Sequence, residues 1–197
     1  MYYALERVSK ITQEIKAYVY SDSAEISSFD MKEGNYRTIQ EANDSPLAWQ
    51  RYEKETLWGG HDQHCWFRTK VKVPKHFSGK TIALNISTGE GGWDAINPQF
   101  ILYVDGELIQ GLDVNHREVI IAESAEANRE YTIDLHAYSG MQSKKSFLFG
   151  ELVVVEKELR RLYFNIQVPV WVIEKLPKDD KKSIDMLTVL NDTINIL

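Results

Sequence analysis

The chain has 197 residues, 43% hydrophobic and 26% charged, the balance of an ordinary folded domain. That composition excludes a disordered, collagen-like or low-complexity chain, and it supplies a core without help from disulfides or metals. With 23 Lys and Arg against 29 Asp and Glu the formal net charge is −6, which argues against a broad surface for nucleic acid or anionic membrane. The single cysteine, Cys65, forbids an intrachain disulfide. The N-terminal stretch is charged throughout and lacks the apolar run of a signal peptide. No segment approaches the roughly 20 apolar residues that span a bilayer. The expected location is cytoplasmic, with neither nucleic acid nor membrane among the partners.

Leu5, Val8, Ile11, Ile15 and Val19 recur every three or four residues, which predicts an amphipathic helix over residues 1–20. From Tyr18 to Thr56 the pattern is weak and polar, with a turn-like Asn-Asp-Ser-Pro at 43–46. It reads as a long arm with one or two short strands. At Cys65 the period becomes two: Cys65, Phe67, Thr69, Val71 and Val73 face one way, and Arg68, Lys70 and Lys72 the other. A second strand puts Ile82, Leu84 and Ile86 on one face. Phe100-Ile-Leu-Tyr-Val104 is apolar on both faces and reads as central. Asp105-Gly106 then predicts a tight hairpin returning along Glu107–Gln110. Further strands are expected at 117–122, at 130–138 with Tyr131, Ile133, Leu135 and Ala137 inward, and at 146–156.

No helix separates these strands, so they pair mostly antiparallel. The predicted fold over 21–157 is therefore mainly β, an antiparallel sandwich or jelly roll. In the remaining segment, 158–197, Leu159, Leu162, Tyr163, Ile166, Val170 and Ile173 have helical spacing. Val168-Pro-Val-Trp-Val-Ile173 is nevertheless β-branched and carries a proline; a kinked helix is preferred over a strand. A polar break at 178–182, with Asp179 or Asp180 as N-cap, precedes a last helix striped by Ile184, Leu187, Leu190, Ile194 and Leu197. That stripe runs to the final residue without a stop signal. The end is either a natural apolar terminus or a cut within a longer protein, and the second is preferred.

Three segments could carry chemistry. In Trp58-Gly-Gly-His-Asp-Gln-His-Cys-Trp-Phe67, the side chains of His61, Asp62, His64 and Cys65 are all metal-ligand types. On a strand His64 and Cys65 point to opposite faces, and His61, Asp62 and His64 meet only if the loop folds back. Cys65 is more simply a small buried residue. The second segment, 91–100, offers Trp93, Asp94, Asn97 and Gln99 at a sandwich rim. An indole stacks on the C–H face of a sugar while amides and carboxylates satisfy its hydroxyls. The alternative is a structural loop in which Trp93 covers the core and Asn97 caps a turn. The third, Gly111–Glu118, packs Asp113, Asn115, His116, Arg117 and Glu118 between two strands. It suits general acid–base work, or else a solvated loop held by Asx turns and an Arg–carboxylate pair. Neither a Ser/His/Asp order nor a glycosidase carboxylate pair can be argued from the spacing.

Trp58-Gly-Gly-His-Asp-Gln-His-Cys-Trp-Phe-Arg68, Gly92-Trp-Asp-Ala-Ile-Asn-Pro-Gln-Phe100, Tyr103-Val-Asp-Gly-Glu107 and Gln110-Gly-Leu-Asp-Val-Asn-His-Arg-Glu118, in that order, resemble the N-terminal region of α-mannosidases. The subgroup is the cytosolic and vacuolar type of glycoside hydrolase family 38. Glu151-Leu-Val-Val-Val155 and Leu190-Asn-Asp-Thr-Ile-Asn-Ile-Leu197 fit the same region. The resemblance implies a retaining enzyme that removes terminal α-mannose, with a carboxylate nucleophile and a zinc ion in a downstream catalytic domain. It implies no catalytic residue and no cofactor in this chain, which lacks the family's His-x-Asp triplet. It also implies a galactose-binding-like jelly roll. The expected partners are that catalytic domain, mannose-containing glycans and further copies in a homo-oligomer. Trp58, Asp62, His64, Trp93, Asp94, Asn97, Gln99, Asp113, Asn115, His116 and Arg117 are then candidates to border the cleft. The alternatives are a stand-alone carbohydrate-binding module with Trp58 or Trp93 as stacking platform, and a structural or oligomerisation domain.

Overall fold

The computed structural model describes residues 3–90, 97–177 and 179–196. It forms two compact units, one from the chain up to Asp22 together with the chain from Val155 onward, the other Ser23–Val154.

The first unit is helical: α1 (Ala4–Lys16), α3 (Lys157–Lys175) and α4 (Lys181–Ile194). Val8, Ile166, Val170, Ile173, Leu190 and Ile194 form its core, with Leu5, Ile11 and Ile15 packed against them. The helical spacing reads correctly on all three helices, except that α1 stops at Lys16, short of the expected 1–20, so that Val19 lies beyond it; Leu197 lies outside the described residues. α3 and α4 share this core with α1. Arg7 donates to Asn191 Oδ1 at 3.1 Å and also reaches Asn195, tying α1 to α4. Pro169 lies inside α3. Helix therefore prevails over strand there, although proline supplies no N–H to the carbonyl one turn earlier. Of the two N-cap candidates it is Asp180 that caps α4, accepting from the Lys182 amide at 2.7 Å.

The second unit is the sandwich, with two all-antiparallel sheets over its assigned pairs. The four-stranded sheet runs in the order β1 (Tyr20–Ile26), β10 (Phe149–Val155), β5 (Ile82–Ser87), β8 (Glu118–Ala122). The six-stranded sheet has β3 (Gln50–Glu53), β2 (Ser28–Glu33), β4 (His64–Lys72), β9 (Glu130–Tyr138), β6 (Gln99–Val104) and β7 (Glu107–Leu112), in that order. Between the sheets lie the alternating residues of each strand, among them Cys65, Phe67, Ile82, Leu84, Leu102, Ile133, Leu135 and Leu152. Phe67 is fully buried, and the rings of Tyr52, Trp58 and Phe29 meet it edge-on at centroid distances of 5.1, 5.2 and 6.3 Å. Such contacts add about 0.5–1.5 kcal/mol each beyond area burial.

Three expectations need correction. The arm at 18–56 holds three strands and a short helix, α2 (Ile39–Asp44), rather than one or two strands. β6 is buried on one face only, because Ile101 is 39% exposed. β4 is more than half-buried: its outer-face Trp66 is fully buried and donates from Nε1 to the Tyr36 carbonyl at 3.0 Å. The cover comes from the segment around α2. Lys32, itself 2% exposed, donates to the Ala42 and Ser45 carbonyls. These lie at and just past the end of α2, where a cation meets the negative end of a helix. Its ammonium also sits over the rings of Tyr36 and Trp49, at 5.8 and 5.6 Å.

Phe67→Ala should lower the stability of the sandwich by about 3–5 kcal/mol. Lys70→Ala, which removes only the exposed pair with Glu130, should change it by less than about 1 kcal/mol. Urea midpoints of the two variants against the parent chain check both.

Candidate functional site

The outer face of the six-stranded sheet is built by register. β4 and β9 pair without a break from His64↔Tyr138 to Lys72↔Glu130, and β9 continues the ladder into β6 with Tyr138↔Gln99 and His136↔Ile101. β7 adds Gly111 opposite Ile101. Since partners across a ladder share a face, three rows cross the sheet. One is His64, Tyr138 and Gln99; the next is Trp66, His136, Ile101 and Gly111; the third is Arg68, Asp134 and Tyr103. The α2 segment covers the β2 side of this face, and the β9–β6–β7 side holds a groove of about 460 Å³.

Aromatic rings dominate the groove. His64 stacks on Tyr138 with centroids 4.7 Å apart, and Trp66 lies parallel to His136 at 4.8 Å. The two imidazoles are 5.4 Å apart. His64 Nδ1 and His136 Nε2 are buried without a hydrogen-bond partner among the described residues. Burial, and next the neighbouring His64, hold His136 below the usual imidazole range. At the rim the Tyr138 hydroxyl donates to Asp62 Oδ1 at 3.1 Å. Burial first, then that carboxylate, raise the phenol's pKa.

Asp113 enters the groove from just beyond β7. Its Oδ1 accepts the amides of Asn115 and His116, both at 2.7 Å, and the His116 ring lies 3.0 Å away. Burial alone would raise this carboxyl, but those three donors outweigh it and hold it below the ordinary carboxylate value. The row below, Arg68 with the buried Asp134, is a two-bond pair at 2.6 and 3.2 Å. It braces the sheet rather than opening to solvent.

Asp62, His64, Gln99 and Asp113 of the sequence candidates therefore come together, with His116 behind Asp113. Others do not join them. Trp58 is 3% exposed, wedged between Phe67 and Phe100, with its Nε1 donating to the Phe147 carbonyl at 3.3 Å. It has no free face, which removes it as a stacking platform or a cleft border. Asn97 is partly buried, its amide held against the Gly140 backbone. Asn115 is exposed. Arg117 donates to the carbonyls of Val114 and Glu90, so it ties two loops rather than serving a carboxylate. Trp93 and Asp94 lie outside the described residues. Sequence reasoning missed His136, Tyr138, Ile101 and Gly111. The signal existed: if Tyr131, Ile133, Leu135 and Ala137 point inward, His136 and Tyr138 must point out.

Among the described residues no three His, Cys, Asp or Glu side chains gather as a metal set, and His64 and Cys65 leave opposite faces of β4. Burial pushes the Cys65 thiol up to about 12, with Glu33 adding to the effect, which disfavours the thiolate at neutral pH. A second groove of about 510 Å³ runs along β2 and β4. Three of its charged side chains are engaged, Arg68 with Asp134, Arg51 with Glu53 and Lys70 with Glu130.

Because the folded state lowers the pKa of His136, the unfolded chain takes up protons more readily. Stability should hold above about pH 6.5 and decline as pH falls toward the folded value. Asp113 adds loss only further down, below its ordinary value of 3.8. Thermal melts across this range should show the first decline shrinking in His136→Asn and the second in Asp113→Asn.

The family model for the jelly roll domain of α-mannosidases matches residues 20–159. No curated protein matches the chain in sequence. Among solved structures, a β-glucuronidase from Ruminococcus gnavus is 9% identical with a TM-score of 0.47, over 68% of this chain and 29% of that one. A β-D-glucuronidase from Dictyoglomus thermophilum is 8% identical with a TM-score of 0.44, over 68% and 28%. The chain thus covers less than a third of either protein.

Proposed function

Because the chain belongs to the α-mannosidase jelly roll domain family, we propose that it is the non-catalytic N-terminal domain of a retaining α-mannosidase. The proposed subgroup is the cytosolic and vacuolar type of glycoside hydrolase family 38, which hydrolyses terminal α-mannosyl residues. The observation that carries this reading is the family match over 20–159, which takes in the whole sandwich.

In this reading the sandwich packs on a downstream catalytic domain, and the end bearing Asp62, Gln99, Asp113 and His116 borders the cleft. Trp93 and Asp94 belong to the same proposed border by sequence. The zinc ion and the carboxylate nucleophile belong to the catalytic domain. The described residues of this chain do not fit a zinc centre, for want of three convergent ligands. What the chain supplies is shape and hydrogen bonding. The Asp113 carboxylate, fixed by two amides and an imidazole, presents its remaining lone pairs to a glycan without having to be ordered first. Mannose-containing glycans, further copies in a homo-oligomer and a cytoplasmic location complete the proposal.

Hydrolysis of a nitrophenyl α-mannoside tests it directly. The protein expressed from the complete source gene should turn it over, and residues 1–197 alone should not. Turnover by residues 1–197 would sink the reading. In the complete protein, Asp113→Ala should shift the preference between mannose disaccharides of different linkage by about tenfold, the scale of one or two lost substrate contacts.

A further inference from the structure

We infer that the groove on the outer face of the six-stranded sheet is itself a binding site for one neutral hexopyranose ring of a glycan. This deepens the reading above, which supplies the glycan, but the site is argued from the groove.

Its volume of about 460 Å³ falls among small-molecule sites, which run from about 300 to 1,000 Å³. The floor is mixed in the way a sugar ring requires. Tyr138 and His64 form a stacked aromatic pair, and Ile101 is 39% exposed beside them. Opposite Ile101 stands Gly111, whose missing side chain leaves that part of the floor open. A β-carbon built there would meet only the Phe100 carbonyl oxygen, at an ordinary 3.8 Å, so packing does not require glycine. Apolar C–H faces of a pyranose rest on such a floor, while its hydroxyls need donors and acceptors at the rim. Gln99 supplies an amide, and Asp62 and Asp113 supply two carboxylates.

The same chemistry argues against other occupants. An anion, whether phosphate or uronate, would meet the Asp113 carboxylate in the lining, Asp62 beside it on the Tyr138 hydroxyl, and no Lys or Arg among the described lining residues. A divalent ion would lack a third convergent ligand among the described residues. An added peptide strand extends a sheet in its own plane from a free edge, here the outer edge of β7, and so would not lie on the face above β9 and β6. A polyol with an apolar face remains.

The test uses the 197-residue chain and methyl α-D-mannopyranoside, followed by imidazole and tyrosine NMR signals up to about 100 mM sugar, a range suited to millimolar binding. The signals of His64, His136 and Tyr138 should shift and saturate together, while His76, on the short 3₁₀ turn at Lys75–Phe77, stays put. Gly111→Leu, which fills the floor, should weaken the response at least tenfold with an unchanged melting temperature. Tyr138→Ala should weaken it several-fold. Absence of saturable shifts in the folded parent chain would overturn the inference. So would equal shifts with glycerol, or undiminished binding in folded Gly111→Leu. None of these results bears on mannosidase activity of the complete protein, so the two proposals fail separately.

Discussion

The unbroken ladder between β4 and β9 is the constraint on which the sandwich and its groove depend. From His64↔Tyr138 to Lys72↔Glu130 the two strands run in strict register, and strand geometry then sends successive side chains to opposite faces. Phe67 and Leu135 go inward to the most buried part of the core, while Trp66 and His136 go outward and stack. A slip by one residue would place Trp66 and His136 between the sheets and Phe67 in solvent, so every apolar contact of the core enforces the groove as well. The site needs no positioning device of its own at this level.

The two faces of the six-stranded sheet solve different problems. Inside, the rings of Phe29, Tyr52 and Trp58 pack edge to face on Phe67, and the Tyr52 hydroxyl and the Trp58 indole N–H are met by backbone groups. Outside, charged groups are desolvated on purpose. Asp134 is buried and met by both arms of the Arg68 guanidinium. Lys32 is buried on carbonyls and aromatic faces. Either charge left unpaired at that depth would cost several kcal/mol, so α2 must sit where it does. That requirement confines the open groove to the β9–β6–β7 side.

How much of this the sequence disclosed follows from how local each signal is. The strand at 130–138 was legible because its alternation is intrinsic, and so were the three helical stripes. The segment at 21–56 was not. β1 and β3 are sheet edges, so one ladder side and much of their surface stay in solvent and the alternation fades. Trp58 misled for another reason. Beside His61, Asp62 and His64 it has the company of a sugar-binding tryptophan, and only the bridge to Ser146 turns it into the core. Gln99 and Asp113 were found by residue type, whereas Gly111 and Ile101 carry no chemistry that would single them out. Their place in the groove is a fact of register, which a list of residues does not contain.

Gly140 shows how the loop end of the site is held together. Its φ of +93° lies in the left-handed region, where a side chain is strained. A β-carbon there would also come within 2.6 Å of the Asn97 side chain. Glycine is thus required twice, once by the turn after β9 and once by the chain entering β6. The carbonyl of the same residue accepts the Asp62 amide at 2.8 Å, and Asp62 in turn holds the Tyr138 hydroxyl. Three segments far apart in sequence, around positions 62, 97 and 140, therefore close on one glycine backbone. The carboxylate at the groove's rim and the aromatic ring on its floor are fixed through that single point.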